Sequence, residues 1–267
     1  MEKNPSIILI TSCQWRHHLG ASLLADHFNL LGIISEERKG LQSGKTMEDD
    51  AVIKDYDREC AEKEKEYFGH AIAFPLLEKK IRRVGYGQAT NEESYKWITE
   101  LNPDYIVLFS AGIIREPLLS SYKNRIINLH LGLTPYYRGS GNAFWPLALG
   151  EPEALGATVH LVAPELDAGN ILGQARPDDV TEYDGPRDIS NKNVLSGLNL
   201  LVRCIKGYAN GTIIPMDQRT DIGKVFRLKE YSAQAILALK ENFRNDMMKT
   251  YLEHKIERDN KYPIIQQ

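Results

Sequence analysis

Two stretches, SIILI at 6–10 and PDYIVLFS at 103–110, are near-continuous apolar runs ending in polar loops, and RIINLHL at 125–131 reads as another strand. A strand covered on both faces reads this way, whereas a half-solvated strand alternates apolar with polar. Helical periodicity fills the gaps between them. In GASLLADHF, Leu23, Leu24 and Phe28 recur at helical spacing, and LLGIIS at 30–35 returns to strand character, completing a β-α-β unit. ESYKWITELN precedes the 103–110 run with Tyr95, Ile98 and Leu101 on one face, and GATVHLVA at 156–163 adds a further β-branched strand. The alternation predicts an α/β fold built on an open, mostly parallel sheet. Ligands of such sheets gather beyond the carboxyl ends of the strands, where Asn128, His130 and the segment from Ser110 to Ile114 fall.

The charged stretch from Arg38 to Glu66 reads as a long solvated helix with opposite charges at i, i+4. From residue 188 the pattern changes to a helix closed by Gly211, then the turn-rich PMDQRTDIGKVFRLKEYS, then a charged helical tail. We therefore expect a body over 1–185 and a mainly helical C-terminal extension over 186–267. The extension would pack on the body or form a homodimer contact.

With 33 basic against 36 acidic residues, the chain lacks the sequence-wide positive field of a nucleic-acid binder. Cys13, Cys60 and Cys204 lie far apart and in no metal-ligand spacing, so neither a disulfide framework nor a metal site is expected. The N-terminal apolar run is too short for a signal segment or a membrane span. The expectation is a soluble, cytoplasmic protein with no membrane and no nucleic-acid partner.

Alternate side chains of a strand share a face, so Asn128 and His130 can converge on one atom. A carboxamide N–H can donate to a developing oxyanion, and an imidazole can donate to the same oxygen or move a proton. The same pair also suits two satisfied polar groups at an ordinary strand end.

NLHLGLTPYYRG, followed by GATVHLVAPELDAGNIL, resembles the folate-dependent formyltransferase family. Its members carry an Asn-x-His pair, a Pro-containing loop, and a Thr-Val-His strand leading to a Leu-Asp-x-Gly loop. The likeness runs from about residue 103 to 174, with a looser echo in the N-terminal β-α-β unit. The resemblance implies a Rossmann-like formyltransferase fold, N10-formyltetrahydrofolate as co-substrate, and catalytic roles for Asn128, His130 and Asp167. Of these three, His130 has an unperturbed pKa near neutrality, and Asp167 would tune or orient it. By ungapped matching, Ser110, Gly112, Ile113 and Ile114, together with Leu166, correspond to the family's folate-binding segments. Asp167 before Ala-Gly also suits a plain turn, and His160 in TVHLV reads as a packed or supporting residue.

The acceptor implied is a small-molecule primary amine. The loop after the first strand, TSCQWRHHLG, holds no glycine before Gly20, so the phosphate nest of family members acting on glycinamide ribonucleotide is not reproduced. The largely helical 188–267 segment and the slightly acidic chain disfavour a tRNA acceptor. TPYYRGSGNAFWPL is most similar to the loop of sugar N-formyltransferases, which act on nucleotide-linked amino sugars. Tyr136, Tyr137 and Arg138 would then meet the sugar or base, and Arg16, His17 and His18 the diphosphate. Packing roles for the tyrosines, a solvated helix start for Arg16 to His18, and core positions for Trp15 and Trp145 are the competing readings. Glycinamide ribonucleotide or an amino acid derivative as acceptor, and hydrolysis of 10-formyltetrahydrofolate, are the functional alternatives.

Overall fold

The computed structural model describes residues 4–37, 46–71, 77–141 and 143–267. The start of the charged stretch, 38–45, lies outside these residues; its helical part spans Met47–Phe68.

Strands β1 (Ser6–Thr11), β2 (Asn29–Glu36), β3 (Ile81–Val84), β4 (Tyr105–Phe109), β5 (Ile126–His130), β7 (Ala157–Leu161) and β8 (Ile171–Ala175) form one seven-stranded sheet. Its order is β3-β2-β1-β4-β5-β7-β8. The pairings from β3 through to β5 are parallel, and β7 runs antiparallel to both neighbours. Helices α1 (Trp15–His27), α2 (Met47–Phe68), α3 (Glu92–Leu101), α4 (Leu118–Ser121), α5 (Trp145–Ala148) and α6 (Pro186–Asn210) lie between or beside the strands.

The continuous apolar runs follow from burial on two sides. Ile7 and Leu9 of β1, Val107 and Phe109 of β4, and Ile127 and Leu129 of β5 pack with Leu24 of α1 and Leu198, Leu201 and Ile205 of α6. Ile8, Ile10, Ile106, Leu108 and Ile126 point the other way, onto Ile98 of α3 and Leu118 of α4. Each such side chain stabilises the fold by about 1.5–3 kcal/mol relative to exposure. By the same period of two, Asn128 and His130 share the face of Ile126. Apolar packing on that face yields there to a polar cluster.

The expected boundary at 186 coincides with the start of α6, yet that helix supplies a large part of the sheet's own core. Gly211 ends it in the left-handed conformation at φ 73°. Helices α7 (Ala233–Arg244), α8 (Met247–Glu253) and α9 (Lys255–Asp259) follow. Ile236, Leu239, Met247, Met248 and Tyr251 form a second core with Ile53 and Tyr56 of α2 and with Trp145 and Leu147 of α5. Thus the C-terminal segment packs on the body. A short parallel pairing of β6 (Tyr137–Gly139) with β9 (Lys224–Phe226) brings it to the carboxyl edge of β5. Among the described residues, no helix is long and apolar enough to cross a membrane.

Candidate active site

In the β5–β7 register, Asn128 stands opposite His160 and His130 opposite Thr158. Directly opposed residues place their side chains on one face, which adds His160 to the expected pair. The Asn128 Nδ2 donates to His160 Nε2 at 3.0 Å. His160 Nδ1 lies 2.8 Å from the Leu161 carbonyl. Because a carbonyl only accepts, Nδ1 of His160 carries the proton, and its Nε2 lone pair receives the Asn128 amide. That contact fixes which end of the carboxamide is nitrogen.

The same logic assigns His130. Its Nε2 lies 3.0 Å from the Tyr137 carbonyl, so Nε2 is protonated and donates. Nδ1 is therefore the atom of neutral His130 able to accept a proton, and it faces Asp167 Oδ2 at 3.4 Å. Burial lowers the His130 pKa, against the opposing pull of the Asp167 carboxylate. At neutral pH the ring is an uncharged base.

Asp167 enters from the β7–β8 loop with φ 48°, the left-handed conformation that a short Asp side chain tolerates. Its Oδ2 accepts the Gly139 N–H at 2.9 Å, and its Oδ1 lies 3.4 Å from Asn128 Nδ2 and 3.5 Å from His160 Nε2. Burial alone would raise the Asp167 pKa. The His130 imidazole and then the His160 imidazole, in their protonated forms, together with the Gly139 amide, nevertheless hold the carboxyl well below the usual carboxylate range. A buried anion, a neutral imidazole and a carboxamide thus meet at one point. Such a set can stabilise a developing oxyanion, accept a proton at Nδ1 and hold the resulting imidazolium.

The expected folate-binding positions divide. Ser110 sits exposed at φ 58° at the end of β4, and Ile113 and Leu166 are 72% and 49% exposed. Ile114 instead turns into the core against α3 and α4. The Gly112 N–H is committed to Glu36 Oε2 at 2.9 Å, while the other oxygen of that carboxylate accepts the Gly87 N–H at 2.6 Å. Glu36 itself is buried at the end of β2. No local spacing marks it, because the loops it joins are distant in sequence.

The expected acceptor contacts divide as well. His17 is fully buried, and its Nδ1 accepts the Gln14 N–H at 2.9 Å in a capping box at the start of α1. A ring folded back to cap its own helix does not meet a diphosphate. Tyr137 is buried too, stacked on Phe226 with its hydroxyl donating to Glu151, so its side chain is part of the second core. The Arg16 guanidinium pairs with Glu64 and bonds the Gln14 side chain. Tyr136 packs edge-on against Tyr262 at 5.0 Å, and Arg138 donates to the Thr220 carbonyl at 3.1 Å. Trp15 and Trp145 take their core readings.

The chain matches the family model described as formyl transferase over residues 27–205. A methionyl-tRNA formyltransferase from Leifsonia xyli is 33% identical over 132 residues, covering 48% of this chain and 42% of that protein. One from Finegoldia magna is 30% identical over 142 residues, 52% of this chain and 44% of its own. The chain thus spans less than half the length of these curated relatives. An N-formyltransferase from Helicobacter canadensis, solved in complex with folinic acid and dTDP-3-aminofucose, superposes with a TM-score of 0.56 at 17% identity. The superposition covers 89% of this chain and 80% of that one. Phosphoribosylglycinamide formyltransferase from Anaplasma phagocytophilum superposes with a TM-score of 0.55 at 18% identity, covering 78% and 89%. At these identities the likeness is one of fold.

Proposed function

The chain belongs to the formyl transferase family, and on that premise we propose that it transfers a formyl group from N10-formyltetrahydrofolate to the primary amine of a nucleotide-linked amino sugar. The observation that carries the proposal is the convergence of Asn128, His130 and Asp167 around one buried point at the end of β5. Family membership supports the formyl chemistry. For the acceptor, support comes from a fold likeness to the Helicobacter canadensis enzyme that covers 89% of this chain.

The co-substrate supplies an activated formyl carbonyl. The residues present fit a flat, partly apolar ligand: the segment from Ser110 to Ile114 leaves β4 next to the end of β5, where Phe109 pairs with Leu129, and Ile113 and Leu166 carry exposed apolar side chains. The amine nitrogen bonds to the formyl carbon, the bond from that carbon to the folate nitrogen breaks, and one proton passes from the amine to the departing nitrogen. Nδ1 of His130 takes that proton, and the carboxylate of Asp167 stabilises the cation formed. Asn128 donates to the carbonyl oxygen as it gains charge. The 3.4 Å contact of its amide with Asp167 is the weaker of its two and the one released for the purpose.

Sequence similarity to the methionyl-tRNA formyltransferases favours a second reading, in which the acceptor is an aminoacyl-tRNA. The experiment incubates the protein with N10-formyltetrahydrofolate and a panel of amino-sugar nucleotides, glycinamide ribonucleotide and methionyl-tRNA. Tetrahydrofolate release and acceptor mass are followed, with His130→Ala as control. A formyl mass gain on an amino-sugar nucleotide, lost in the control, is the expected result. Gain on another acceptor overturns the sugar assignment, and release without any acceptor overturns transfer in favour of hydrolysis.

A further inference from the structure

The Asp167 turn is held from outside by a short C-terminal segment that lies beyond the family match. Met216 and Ile171 exchange both backbone hydrogen bonds, at 2.7 and 2.9 Å, forming an isolated antiparallel bridge. One residue on, the Asn170 side-chain amide donates to Asp217 Oδ1 at 2.9 Å. Next, Gln218 Nε2 donates to the main-chain carbonyl of Asp167 itself at 2.6 Å. The segment continues to Thr220, whose carbonyl holds Arg138, and to β9, whose strand pairs with the one bearing the Gly139 N–H. That N–H in turn binds the Asp167 carboxylate. Both ends of Asp167 are thereby tied to one stretch, its carbonyl directly and its carboxylate through β6.

We propose that Gln218 is a positioning residue for the reaction: it pins the left-handed Asp167 turn so that the carboxylate stays against Nδ1 of His130. The inference rests on the reading of Asp167 as the electrostatic support of His130. An aspartate at φ 48° occupies a sparsely populated conformation that its own chain does not enforce. A partly buried amide donating to its carbonyl supplies the external constraint. The family match ends at residue 205, so this brace comes from a part of the chain outside it.

The test is nuclear magnetic resonance titration of ¹⁵N-labelled histidine in the full chain, with the His130 signal assigned by its loss in His130→Gln. Among the described residues, the Asp167 carboxylate and the His160 imidazole are the charged or titratable groups acting on His130, with the Tyr137 carbonyl at Nε2. The Asp167 carboxylate is the larger of the two influences that raise the His130 pKa, the other being the Tyr137 carbonyl at Nε2, so a carboxylate that swings away lets that pKa fall. In Gln218→Met we expect the His130 pKa to drop by about half a unit or more, with the His160 signal still dispersed as in the parent. Gln218→Leu, which is likewise uncharged and has no N–H to give, should do the same if Gln218→Met fails to fold. Where an acceptor is known, kcat falls about tenfold with KM for folate within about twofold. An unchanged His130 titration in either folded variant overturns the proposal. The titration needs no turnover, so a protein inactive on every acceptor but with the shifted His130 signal would sink the formyl-transfer reading and leave the brace standing.

Discussion

Nδ1 of His130 and Oδ2 of Asp167, both on largely buried side chains, stand 3.4 Å apart, with no proton between them while the imidazole is neutral. The gap is long for a strong hydrogen bond but close enough for a strong charge pair once the ring is protonated. The pair therefore does little in the resting state and gains most once His130 holds a proton, which is when the reaction needs it.

Activity should fall as pH drops through the His130 pKa, since a protonated ring is no base. Burial places that pKa below 6.5, so kcat/KM is flat at neutral pH and its acid limb lies on the acidic side of 6.5. Asp167→Asn removes the charge that opposes the lowering. The acid limb should move to lower pH while the plateau rate falls by about a hundredfold or more. A pH–rate profile checks both; an acid limb displaced upward in the variant contradicts the assignment.

Asn128→Ala should lower kcat about a hundredfold, with KM for folate little changed, because the lost donor serves an oxygen charged only in transit. Steady-state kinetics decide it. A raised KM at unaltered kcat would mean that the side chain only binds.

Glu36→Ala strips both Gly87 and Gly112 of their acceptor, leaving two backbone donors to find water. The expected cost is about 1–3 kcal/mol of stability. The Ser110–Ile114 segment loses its anchor, so KM for folate should rise several-fold with kcat nearly intact. Denaturant unfolding and folate-dependent kinetics give the two readings. A kcat loss at constant KM would place Glu36 in the chemistry.

Gly139 has φ 89°, and a Cβ there would lie 2.1 Å from the Phe226 carbonyl oxygen. Gly139→Ala must push β9 away from β6, which breaks the strand pair and shifts the N–H held by Asp167. We expect at least about 1–2 kcal/mol of destabilisation and a loss of activity exceeding what the unfolded fraction accounts for. Thermal melting beside the rate at a temperature well below the transition separates the two.

Local pattern decided much of this protein. Apolar runs buried on two faces specify a parallel sheet between helices, and the period of two puts Asn128 and His130 on one face wherever β5 lies. Pattern could not show what faces that pair. His160 joins Asn128 because β7 runs antiparallel in one particular register, and a shift by a single residue would have turned it to the opposite face. Asp167 reaches His130 because Gly139 and Gln218, from two other parts of the chain, hold its turn. Likewise His17 and Tyr137, polar enough to suggest ligand contacts, turn inward to a helix cap and to the Glu151 carboxylate. Side-chain spacing is a local property that a sequence displays directly. Which polar groups end up sharing a buried, low-dielectric point depends on contacts between distant segments, and only the packed chain decides them.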